Sequence, residues 1–142
     1  MGAQILRLAL VLMLLSPAIR AGEGARIAVI ASPARRADLS VADLAQIYLR
    51  RKRFWNDGTP IVPLNLPSGT PLRERFSGLV LRQKGERLAD YWNRQYFYGI
   101  LPPATLASTE AIRRYVASDV NAIGYLPDSE VDGSVRVLFH IE

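Results

Sequence analysis

The chain has 142 residues, 18 Lys+Arg against 13 Asp+Glu, one His and no Cys. The length fits one domain, and 49% apolar with 22% charged residues is the balance of a folded chain, not a disordered one. Without cysteine there is no disulfide, thiolate metal site, iron–sulfur cluster or thiol nucleophile, and one histidine excludes a multi-histidine metal centre within one chain, so no cofactor or metal is expected.

The net charge of +5 invites a nucleic-acid reading until the charges are placed. Residues 1–21 read as a signal peptide. Arg7 is the only charge before an apolar run, Leu8 to Leu15, which Ser16, Pro17, Ala18 and Ile19 extend. That run is short of the roughly 20 residues a membrane-spanning helix needs. Cleavage falls after Ala21 or Ala18, and no cysteine follows for lipid attachment. Cleavage after Ala21 removes Arg7 and Arg20, which lowers the charge from +5 to +3, and leaves one domain over 22–142. The expected location is the bacterial periplasm or the exterior.

Arg26 to Ala31 is rich in β-branched residues and ends at Ser32-Pro33, which predicts a strand buried on both faces. A basic loop, Arg35-Arg36, follows. Ser40 and Asp43 form a capping pattern, and Val41, Leu44, Ala45 and Tyr48 recur at helical spacing, so a helix is expected up to about Arg50. Arg50-Arg51-Lys52-Arg53, followed by Phe54 and Trp55, is the densest basic stretch. Cations beside aromatic rings suit nucleic acid or lipid headgroups. A solvated helix end is the commoner reason for such a run, and a mature charge of +3 argues against nucleic acid.

Pro60 to Leu66 predicts a second strand, whose two prolines suit an edge or strand ends. A helix is expected after Pro67-Ser68-Gly69-Thr70-Pro71, with Leu72, Phe76, Leu79 and Val80 on one face. Another covers Glu86 to Phe97. Its Tyr91, Trp92 and Tyr96 are expected in the core, with Phe97 and Tyr98 as exposed partner contacts. Ser108 or Thr109 caps a further helix carrying Ile112, Tyr115 and Val116. Ala122 to Leu126 predicts a strand, Asp132-Gly133 a hairpin-type turn, and Val135 to Ile141 the last strand. This order predicts a three-layer αβα sandwich on a mainly parallel mixed sheet with a final hairpin.

The junction Ser68-Gly69-Thr70 is the sharpest chemical feature. A helix N-terminus presents unpaired N–H groups and partial positive charge, glycine allows close approach, and two hydroxyls add donors. Taken alone the tripeptide reads as a helix cap. Arg73 and Arg75, just inside the helix, reach toward an anion there or else line an exposed face beside Glu74. His140 has no catalytic partner. With no nucleophile triad, carboxylate pair or P-loop, the sequence points away from an enzyme.

Several segments together resemble a known family. Leu39-Ser-Val-Ala-Asp-Leu-Ala-Gln-Ile-Tyr-Leu49, Phe54-Trp-Asn-Asp-Gly58, Ile61-Val-Pro63, Ser68-Gly-Thr70 and Asn121-Ala-Ile-Gly-Tyr-Leu126 match, in order and spacing, the second lobe of the periplasmic phosphate-binding proteins of ABC transporters. The resemblance covers residues 27–141. It implies one lobe of a type 2 periplasmic-binding-protein fold, with phosphate oxygens held at Ser68, Gly69 and Thr70. It also shows departures. The family's arginine four residues before the serine falls on Leu64, and its aspartate two before the serine falls on Leu66. The arginine would grip the anion in bidentate fashion and the aspartate would accept the proton of hydrogen phosphate. Charge-assisted bonds contribute about 1.5–3 kcal/mol each, so affinity should fall steeply without both.

Two functions follow. One is a solute-binding protein of ABC-type uptake or sensing that holds phosphate or a related oxyanion at Ser68, Gly69 and Thr70, with Arg73 in reach. The other is an accessory module that kept the fold, lost tight phosphate binding and docks a membrane or periplasmic protein partner. A junction where Ser68, Thr70 and an arginine converge favours the first; a side chain such as Leu66 filling it favours the second.

Overall fold

The computed structural model describes residues 25–83 and 85–142; the expected signal peptide lies outside them. The elements run β1 (Ile27–Ala31), α1 (Val41–Tyr48), β2 (Val62–Asn65), α2 (Pro71–Phe76), a π-helical turn (Ser77–Leu81), α3 (Glu86–Tyr96), β3 (Ala104–Thr105), α4 (Thr109–Ser118), β4 (Ala122–Pro127), a 3-10 turn (Asp128–Glu130) and β5 (Arg136–Ile141). The strands form one sheet in the order β3-β2-β4-β1-β5. β2 pairs in parallel with β3 and β4, and β1 pairs antiparallel with β4 and β5. Four strands therefore run one way and β1 runs against them, a mixed and mainly parallel sheet.

Every residue of β1 is buried, because neighbours pair with both of its edges and helices cover both faces. The side-chain alternation of β4 separates those faces. Gly124 faces Ile112 and Val116 of α4, whereas Tyr125 faces the opposite way against Tyr48 of α1 and Phe76 of α2. With α4 on one face and α1 and α2 on the other, the sandwich has three layers.

Local signals position the helices as the sequence implies. Ser40 and Asp43 cap each other's backbone N–H groups at the start of α1. Pro71 occupies the first turn of α2, where no donor is needed. Ser108 rather than Thr109 caps α4, accepting from the N–H of Ala111 at 3.1 Å.

Three expectations are corrected. Asp132-Gly133 does not close a hairpin, since β1 lies between β4 and β5. The turn there is held locally, with Asp132 accepting from the N–H of Ser134 and bridging to Arg113 of α4 at 2.7 Å. β2 is not an edge strand but lies between β3 and β4. It tolerates Pro63 because strand N–H groups alternate in direction: Val62 donates toward β4 at Asn121, so the missing donor of Pro63 points the other way. On that side β3 starts only at Ala104, opposite Leu64.

Tyr91 of α3 is buried and its hydroxyl donates to the Leu49 carbonyl at 2.7 Å, but Trp92 is half-buried and Tyr96 is exposed, because α3 touches the body by a narrow face. Arg35 lies in the basic loop after β1 with its side chain turned inward. It is 7% exposed, lies 4.7 Å over the Trp55 ring, and donates to the Val120 carbonyl, Asp57, Thr59 and Asn121. It ties the β1–α1 loop to the chain entering β2 and β4.

Candidate functional site

An aromatic cluster anchors the end of β2. Phe76 stacks on Tyr125 at 3.8 Å between centroids, and Tyr48 packs edge-on against Phe76 at 4.8 Å. The Tyr48 hydroxyl donates to the Leu64 carbonyl at 2.8 Å, and that of Tyr125 donates to Oδ1 of Asn65. Burial pushes both phenols well above their ordinary values, so both remain donors. Asn65 also accepts from the N–H of Leu66 at 3.0 Å. The chain thus leaves β2 at a defined angle, and Ser68, Gly69 and Thr70 follow at the carboxyl end of the strand.

Gly69 has φ +86°, a left-handed conformation that glycine adopts without strain. Its N–H donates to Oε1 of Glu74, one turn into the helix, at 3.1 Å. The chain's own carboxylate therefore takes a junction N–H that an anion would otherwise use. Thr70 caps with its backbone alone; its hydroxyl donates to the Pro67 carbonyl at 2.7 Å. Arg73 curls back to the Leu66 carbonyl at 2.8 Å, and Arg75 donates to the Ala25 carbonyl.

Ser68 is exposed and lines a hollow of about 170 Å³ with Arg73, Glu74, Ser77 and Trp92. Thr70 lines a different cleft of about 500 Å³, with Leu66, Leu72, Arg75, Ser108 and Thr109. That cleft lies at the carboxyl ends of β2 and β4, between the starts of α2 and α4, the position where open α/β sheets form crevices. The two hydroxyls of the junction thus serve different cavities. Leu64 and Leu66 are both buried in the core, and Leu66 contributes an apolar wall to the larger cleft.

Sequence reading missed Glu74 as a junction residue and Asn65 as its anchor. The position of Glu74, five residues after Gly69, was the available signal, since an acidic residue in a first helical turn favours the N-terminus.

This arrangement is an αβα unit with a junction and crevice at the carboxyl end of a mixed sheet. No protein-family model matches the chain, and no curated protein matches it. Solved structures do. A protein of Clostridium perfringens assigned as a phosphate ABC transporter substrate-binding protein, solved with bound phosphate, is 25% identical with a TM-score of 0.66, over 80% of this chain and 45% of that one. An ABC-type phosphate transport receptor from Vibrio cholerae is 17% identical with a TM-score of 0.65, over 80% and 46%. PstS from Borrelia burgdorferi is 18% identical with a TM-score of 0.53, over 72% and 41%. The chain has a PstS-like fold, that of one lobe of the periplasmic phosphate-binding proteins, and spans under half the length of these neighbours. All three neighbours are transport receptors or binding proteins rather than enzymes.

Proposed function

We propose that the chain is exported, carries the fold of one lobe of the phosphate-binding proteins, and acts as an accessory or interaction module in the periplasm, without catalysis and without tight phosphate capture. The observation that carries this reading is the Glu74 carboxylate on the Gly69 N–H. An incoming anion meets a like charge and donors already used, since Thr70 and Arg73 are turned onto carbonyls. Leu64 and Leu66 add no charge or donor in compensation.

The test is calorimetric titration of the chain with phosphate and with sulfate. No saturable heat below millimolar ligand is expected. A saturable phosphate isotherm below that level, lost in Ser68→Ala and Thr70→Ala, overturns the reading.

A second reading, an oxyanion held weakly at the junction, is favoured by one observation: Ser68 and Arg73 share the small hollow with Glu74. In that case phosphate displaces Glu74 and recruits Arg73, and removing the carboxylate's charge exposes the site.

A further inference from the structure

We propose that the end of the molecule opposite the Ser68–Thr70 junction docks on an anionic phospholipid bilayer. Because β3 runs parallel to β2, the loop entering β3 lies at the amino end of β2, where the Arg51–Phe54 segment also sits. Two contacts tie these segments together: the Tyr91 hydroxyl bonds to the Leu49 carbonyl, and the Arg51 guanidinium lies 5.5 Å over the Tyr91 ring.

The apolar content of this end is unusual for its position. Tyr96, Phe97 and Tyr98 are 69%, 87% and 78% exposed in succession, and Leu101, three residues on, and Phe54 of the Arg51–Phe54 segment are exposed too. Single exposed apolar residues need no explanation, but a run of three aromatics does. Tyr96 and Phe97 meet edge-to-face at 6.4 Å, so the rings are held outward as a pair instead of folding onto the body. Tyrosine suits the headgroup level, with an apolar ring and a polar tip.

The cations complete the pattern. Arg94 lies one turn before Phe97 and Tyr98, and Arg51 and Arg53 are exposed on the adjoining turn. Among the described residues, no carboxylate is within ion-pair distance of Arg51, Arg53 or Arg94; Lys52 is held by Asp43 at 3.7 Å, and Asp90 lies a further turn back along α3. Projecting aromatics rimmed by unpaired arginines are complementary to an anionic lipid surface. No described helix is long and apolar enough to cross a membrane, so the contact is peripheral.

Three variants of the whole chain test this: Phe97→Trp, the double change Phe97→Ser with Tyr98→Ser, and Arg94→Glu. All alter exposed side chains, and circular dichroism checks that each folds. Phe97→Trp is mixed with vesicles of phosphatidylglycerol and phosphatidylcholine carrying brominated acyl chains. Quenching above that of the parent chain is expected, and it reports this ring independently of any binding by residues 8–19. Partition to phosphatidylglycerol vesicles should fall about tenfold in Arg94→Glu and further in the double serine variant. Absence of extra quenching, or unchanged partition in both charge and ring variants, overturns the proposal. Concentration-dependent self-association in sedimentation, abolished by the double serine change without vesicles present, also overturns it and assigns the patch to a second copy of the chain.

Discussion

Two side chains decide most at the residue scale, Glu74 and Arg35. Glu74 supplies the anionic acceptor for the Gly69 N–H, a donor that would otherwise face a ligand. Changing Glu74→Gln keeps size and removes charge, so phosphate affinity should rise about tenfold or more relative to the parent, read by the same titration. If the two isotherms coincide, Glu74 does not control the junction. Arg35 works through burial. Its guanidinium satisfies the Val120 carbonyl and Asn121, and it lies on Trp55. Arg35→Ala leaves these groups unpaired and should cost about 2–4 kcal/mol in urea unfolding.

The partner of Arg35 sets a pH dependence. Hydrogen bonds from Thr59, first its hydroxyl and then its backbone N–H, and next from Arg35, lower the Asp57 carboxyl from 3.8 to about 2. A carboxyl depressed in the folded state stabilises fully above 3.8, and that contribution is lost as pH falls toward and through about 2. Asp57→Asn should flatten the acid limb of the stability curve over that window and leave its slope near neutrality unchanged.

At the scale of elements, the approach of α4 to the sheet rests on Gly124. A Cβ there would fall 2.5 Å from Cγ2 of Ile112, closer than side chains pack. Gly124→Ala should therefore destabilise by about 1–3 kcal/mol through overpacking. Ile112→Ala in the same chain should recover part of that loss, a coupling that a double-mutant cycle in urea measures. Strictly additive effects would mean that α4 is free to move outward.

The element scale also shows what sequence patterning reads well. The Ser40–Asp43 box, Pro71 at the start of α2 and the Ser108 cap are short-range devices whose partners lie within a turn. The reading of Asp132-Gly133 as a hairpin failed for the converse reason. A turn signal reports local backbone shape, and whether the flanking strands pair depends on β1, about a hundred residues away, which takes the place between them. Pro63 misled in the same way: proline forbids one donor, and that donor happened to point where no partner strand begins.

For the whole molecule, the chain matches under half of each solved neighbour. Under the proposed function phosphate does not close the cleft beside Thr70. Small-angle scattering should then give the same radius of gyration with and without excess phosphate. A ligand-dependent decrease would point to closure and against the accessory reading.

The αβα architecture and the PstS-like resemblance were both legible in the amino-acid order. Helical spacing, caps and the Ala122-Ile-Gly-Tyr-Leu126 segment are written in contiguous residues, and the family's motifs keep their separations. The absence of an arginine and an aspartate before the junction was legible too, as Leu64 and Leu66. Which acceptors Gly69, Thr70 and Arg73 meet was decided only in three dimensions. Hydrogen-bond donors belong to whichever acceptor folding brings near, and here those acceptors are Glu74 and the carbonyls of Pro67 and Leu66. The union of the basic stretch with the outward aromatics of α3 is likewise tertiary. These segments lie far apart along the chain, and parallel pairing of β3 with β2 carries them to one end of the molecule.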